Sequence, residues 1–138
     1  MLKKTITYTD YNGVERTEDF YFNLNESEIT EMQYGFEGGL AQMLMKIINA
    51  QDAPAIIRVM KEIVLKSYGE KSPDGKRFIK SKELSEAFSQ TEAYNQLYME
   101  LATDDKKGAD FVNAIIPKTT AQKVRDELDD TLKEISAQ

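Results

Sequence analysis

The sequence predicts an α+β fold, an N-terminal β-hairpin packed on a mostly α-helical bundle of about five to seven helices. Three observations carry this. Apolar residues alternate on either side of Asn12-Gly13, the pattern of two paired strands around a tight turn. From residue 26 onward the apolar residues recur instead at three- and four-residue spacing. Within that part, Asp52–Gly69 places Ile56, Ile57, Val59, Met60, Ile63, Val64 and Tyr68 over about half of a helical cylinder, wider than the stripe of a surface helix. Such a helix needs cover from more than one side, so it reads as the centre of the bundle.

The hairpin occupies residues 4–24, with Ile6 and Tyr8 on one strand and Phe20, Phe22 and Leu24 on the other. Parity selects the turn. A two-residue Asn-Gly loop pairs even with odd positions and sends the two apolar sets to opposite faces. A three-residue loop Tyr11-Asn12-Gly13 pairs even with even and keeps them together, with Gly13 in the left-handed region as a G1-type bulge. The other face then carries Thr5, Thr7, Thr9, Thr17, Asp19 and Tyr21. A lone hairpin is marginal in water, so its apolar face must pack on the helices.

Asn25 and Glu28 form a capping box, with Leu24 and Ile29 placed as a hydrophobic staple, and start a helix over about 26–34. Gly35 and Gly38-Gly39 interrupt the pattern, and Leu40, Met43, Leu44, Ile47 and Ile48 resume it up to a tight corner near Gln51-Asp52. In the central helix Asp52 is the cap, Pro54 lies just inside, and Gly69 is the left-handed residue past the end. Arg58, Lys61, Glu62 and Lys66 mark its solvated face, and Leu65 interrupts that face, offering a contact to another element or a partner. The stretch from Glu70 to Lys80, with its Pro73-Asp74-Gly75 turn, reads as the one real loop of the domain.

Ser81 caps a short helix with Leu84, Ala87 and Phe88. Ser89 and Glu92 are placed as a second capping box, before the stripe Tyr94, Leu97, Tyr98 and Leu101. Thr103 opens a helix with Val112, Ile115 and Ile116, stopped by Pro117. Residues 1–117 thus form one domain, and 118–138 an amphipathic helix or tail with the narrow stripe Val124, Leu128, Leu132 and Ile135. Folding back on the domain and docking on a partner helix are both open for that stripe.

Composition removes several function classes. Among 138 residues there is no cysteine and no histidine, so disulfides, thiolate chemistry, Cys-ligated zinc and the commonest general base are all unsupported. A net charge of −6 argues against a general nucleic-acid role. No apolar run approaches a membrane span and the N-terminus lacks a secretory signal, which points to the cytoplasm.

Ser72–Arg77 places a glycine beside two cations but lacks the phosphate-loop spacings, so a plain turn is the better reading. Asp126, Glu127, Asp129 and Asp130 fall on a predicted helix and not in a Gly-bent loop, the reading of a solvated face. No nucleophile stands beside a base, so an enzyme is unsupported though not excluded; the absence of His and Cys, with the family resemblance given below, makes the expectation a non-enzymatic chain without cofactor or metal. Met32, Met43, Met60 and Met99 are read as core fillers, whereas Met45 falls off its helical stripe and is a candidate for an adaptable partner surface. The partner-binding candidates are therefore Met45, Leu65, Val124, Leu128, Leu132 and Ile135.

The hairpin TITYTDYNGVERTEDFYFNL, the step Glu37-Gly38-Gly39-Leu40, AQDAPAII at 50–57, SYGEKSPDGKRFIKS at 67–81, FSQTEAYNQLYMELATD at 88–104 and FVNAIIP at 111–117 together resemble the tail assembly chaperones of long-tailed phages that infect Gram-positive bacteria. The resemblance covers about residues 3–117, and its specificity lies in the collinear set, since no piece is a catalytic signature. It implies an assembly factor of the host cell cytoplasm that binds the tape measure protein, keeps it soluble and helps bring tail tube protein to it. It also implies a longer form, often made by ribosomal frameshifting near the C-terminus. A homo-oligomer stays open. The alternatives are an acidic interaction module that regulates a host protein, against which the acidic residues alternate with Lys and Arg, and a small hydrolase with a carboxylate-only site.

Overall fold

The computed structural model of the chain describes residues 1–33 and 53–117. Strands β1 (Leu2–Thr9) and β2 (Glu15–Phe22) pair antiparallel, with Leu2 opposite Phe22 and Thr9 opposite Glu15, so even positions face even positions. The loop is the three-residue one. The Asp10 N–H donates to the Val14 carbonyl at 2.8 Å, and Gly13 has φ 80°. Asp10 organises the tip, its Oδ1 accepting from the Asn12 and Val14 N–H groups and its Oδ2 from Arg16 Nε at 2.6 Å. Ile6 and Phe22 are buried on one face, while Thr5, Thr7, Thr17 and Asp19 are exposed on the other.

Helix α1 (Glu26–Gln33) starts on the reciprocal box: the Glu28 N–H donates to Asn25 Oδ1 at 2.8 Å, and the Asn25 N–H donates to Glu28 Oε1 at 3.0 Å. The interrupted pattern from Gly35 through Gly38-Gly39, the helix of Leu40 to Ile48 and the Gln51-Asp52 corner with its cap lie outside the described residues. Helix α2 (Ala53–Ser67) follows, and Met60, Ile63, Val64 and Ser67 are fully buried.

Three sequence expectations fail around this helix. Gly69 is not a left-handed cap: helix α2 stops at Ser67, and Tyr68 and Gly69 belong to strand β3 (Tyr68–Lys71), with Gly69 opposite Tyr21 and Tyr68 opposite Phe22. A Cβ on Gly69 would stand 2.7 Å from the Ile79 carbonyl oxygen, so close backbone approach is what requires glycine there. The stretch 70–80 is not one loop, since Glu70 and Lys71 pair with Ile79 and Phe78 of β4 (Phe78–Ile79). Finally, Ile57 is 50% exposed, because the core covers a narrower arc of the helix than its apolar pattern spans.

The four strands form one antiparallel sheet in the order β1-β2-β3-β4. Helices α3 (Lys82–Ser89), α4 (Glu92–Thr103) and α5 (Asp105–Ile115) complete the five helices among the described residues. Ser81 caps α3 as expected, accepting from the Leu84 N–H. The cap of α4 is Thr91 and not Ser89, and that of α5 is Asp104 and not Thr103. Met99, read as a core filler, is 52% exposed, and Ala87, one of the apolar positions of α3, is exposed as well.

The inner face of β1 meets α4 and α5, α3 packs on β3, and α2 touches all three of those helices. Between the layers lies an aromatic cluster in which Phe22 approaches Phe111, Phe88 and Tyr68 at centroid distances of 5.3, 5.8 and 5.8 Å, while Tyr68 stacks on Phe88 at 4.2 Å.

Candidate partner-binding surface

Of the six residues nominated from sequence, Leu65 lies among the described residues; Met45, Val124, Leu128, Leu132 and Ile135 lie outside them. Leu65 sits on the outer side of α2, half-buried and packed against the edge of the core. It lies in an open groove of about 460 Å³ between α2 and the start of α3. Helical spacing puts Lys61, Glu62 and Lys66 beside it, and the Ser81 cap fixes where α3 begins, so Lys82 and Ser85 form the opposite wall. Ser85 Oγ donates to the Leu65 carbonyl at 2.9 Å and ties the walls together.

Lys80 closes one end. Its Nζ donates to the Asn23 carbonyl and to Glu28 Oε2, both at 2.6 Å, which joins the groove to the strand–helix junction. Sequence reasoning missed Lys80, and no local signal identifies it, because its partners stand 57 and 52 residues away. Four lysines and one glutamate line the groove of a chain whose net charge is −6. Lys80 is paired with Glu28, and Lys82 is 3.7 Å from Glu86; Lys61 and Lys66 are exposed with no ion pair among the described residues. Lysine stems cover apolar surface while their ammonium groups stay in water, so the floor is apolar and the rim cationic.

The perturbed titratable groups lie elsewhere and hold turns or the core. Arg16 holds the Asp10 carboxyl below the usual carboxylate range, helped by the Val14 N–H. The Ser72 hydroxyl and the Lys76 N–H do the same for Asp74. The Glu18 carboxylate, accepting from the Tyr8 hydroxyl, pushes Tyr8 up, and burial pushes Tyr68 and Tyr94 up.

Among the described residues no helix is long and apolar enough to cross a membrane. Over residues 1–138 the chain matches a family model described as phage tail assembly chaperone. No curated protein and no solved structure matches it.

Proposed function

The chain belongs to the phage tail assembly chaperone family, and from that premise we propose that it binds the tape measure protein, keeps it soluble and helps recruit tail tube subunits during tail assembly. It acts in the cytoplasm of the host cell, without catalysis, for a long-tailed phage of a Gram-positive host. The observation that carries the binding role is the Leu65 groove, with an apolar floor and a cationic rim. A long helical client presents apolar residues at i, i+3, i+4 and i+7, and a groove of this kind accepts such a face without any chemistry of its own. Leu65 and the nominated residues outside the described part, Met45, Val124, Leu128, Leu132 and Ile135, are its proposed contacts.

Co-expression with the tape measure protein tests this. The full chain should co-purify with it and keep it in the supernatant, and Leu65→Glu should weaken capture at least about tenfold, the loss of about 1.4 kcal/mol of binding. Because Leu65 is at the core edge, its melting temperature is measured alongside. Lys61→Glu with Lys66→Glu, both exposed, repeats the test without touching the core. A tape measure protein that stays insoluble and uncaptured in the presence of the unaltered chain overturns the proposal.

A further inference from the structure

We propose that, when no client is bound, the Leu65 groove is occupied by the C-terminal segment of the same chain, with Leu128 against Leu65 and the acidic residues around Leu128 against Lys61 and Lys66. The inference rests on the reading of that groove as an interaction surface, and not on the identity of the client.

The first support is where the described chain ends. Helix α5 stops at Ile115, and the Ile115 carbonyl accepts from the Leu24 N–H at 2.8 Å. The carbonyl of the preceding residue, Asn23, accepts from Lys80 Nζ at 2.6 Å, and Lys80 lines the groove. Thus the last described residue, Pro117, lies two residues beyond a hydrogen bond to the same Asn23-Leu24 step that holds the groove's end. From Pro117 to Val124 the chain can span up to about 25 Å when extended.

Charge is the second support. Between Val124 and Ile135 the sequence carries Asp126, Glu127, Asp129, Asp130 and Glu134 against Arg125 and Lys133. The groove offers the opposite balance: Lys80 and Lys82 are held by Glu28 and Glu86, and beside Glu62 the exposed Lys61 and Lys66 have no ion pair among the described residues. Pattern is the third, because Val124, Leu128, Leu132 and Ile135 form a stripe one helix wide, which fits a single open groove and could not fill a core. A tethered segment needs little intrinsic affinity, since tethering supplies an effective concentration in the millimolar range.

The absence of cysteine from the native sequence allows a clean trap in the full chain. Leu65→Cys with Leu128→Cys is oxidised in dilute solution with oxidised glutathione, without client, and compared with Leu65→Cys paired to Asp130→Cys, which lies on the far side of the stripe. The on-stripe pair should close an intramolecular disulfide at least about tenfold faster than the off-stripe pair, and the ratio should shrink in high salt and with Lys61→Glu and Lys66→Glu. Ser85→Cys replaces Leu65→Cys as the anchor if the latter fails to fold. Equal rates for the two pairs, no bond, or a covalent dimer in place of a closed monomer overturns the proposal. The trap contains no client, so its failure leaves tape measure capture standing, and a failure of capture leaves the trap's result intact.

Discussion

Gly69 has no room for a methyl group: a Cβ there would meet the Ile79 carbonyl oxygen at 2.7 Å and the Phe78 ring at 2.8 Å. Gly69→Ala should therefore lower stability by about 1 to 3 kcal/mol in urea denaturation, through the shift it forces on β4. Gly13 is the opposite case, with open space around it but φ 80°, so Gly13→Ala should cost about 1 to 2 kcal/mol by backbone strain alone. Gly13→Asn should recover most of that, because asparagine tolerates the left-handed region. Acid sensitivity belongs to the same scale. Asp10 and Asp74 have folded-state pKa values below their ordinary value of 3.8, so the stability they contribute is present above that value and lost as pH falls through the depressed folded pKa. Acidification below about pH 4 should loosen both turns. Asp10→Asn keeps an oxygen for the two backbone N–H groups but not the charge facing Arg16, so its melting temperature should depend less on pH in that window.

At the scale of elements, α2 and the open edge of β2 make opposite demands. Ile63 is fully buried while Ile57 is half exposed on the same helix, so Ile63→Ala should cost about 2 to 5 kcal/mol and Ile57→Ala far less. A loss below about half a kcal/mol at Ile63 would remove α2 from the centre of the fold. On β2, the Asp10–Val14 bond makes even positions the hydrogen-bonded pairs with β1, so the Thr17 N–H points away from β1 and the Glu18 N–H toward it. The pairing of β3 with β2 reaches only Tyr21 and Phe22, so among the described residues no strand pairs with β2 at Thr17 on that side. Thr17→Pro should consequently be tolerated far better than Glu18→Pro in thermal melts. Elements governed by neighbours in sequence were legible: the hairpin register by parity, the Asn25–Glu28 box, the Ser81 cap and the Pro117 stop. Those decided by distant partners were not. Nothing local in Tyr68-Gly69-Glu70-Lys71 announces a strand, because pairing with Phe22 and Tyr21 makes it one; the helical pattern simply ran on through Tyr68. Leu65 was found as an apolar residue on a charged face, whereas Lys80 and Ser85 enter its groove only through the tertiary fold.

Taken whole, the molecule pairs one antiparallel sheet, open on its Thr-rich face, with helices that bury an aromatic centre and leave an apolar, lysine-rimmed groove. Such a body should respond to a helix and stay indifferent to small ligands. A ligand present at a hundred times its dissociation constant stabilises the folded state by about 2.7 kcal/mol, which for a chain of this size raises the melting temperature on the order of 10 °C. Divalent metals and nucleotides at millimolar concentration should leave the melt unmoved, because among the described residues lining the groove Glu62 is the one carboxylate, and the lysines ring an apolar floor in place of a phosphate-shaped nest of backbone N–H groups. An amphipathic helical peptide from the tape measure protein should raise it, and the rise should shrink with salt, since the rim of the groove is cationic and exposed. A saturable shift with a nucleotide or metal, with none from any tape measure peptide, would move the function away from client binding and toward chemistry that the groove beside Leu65 does not offer.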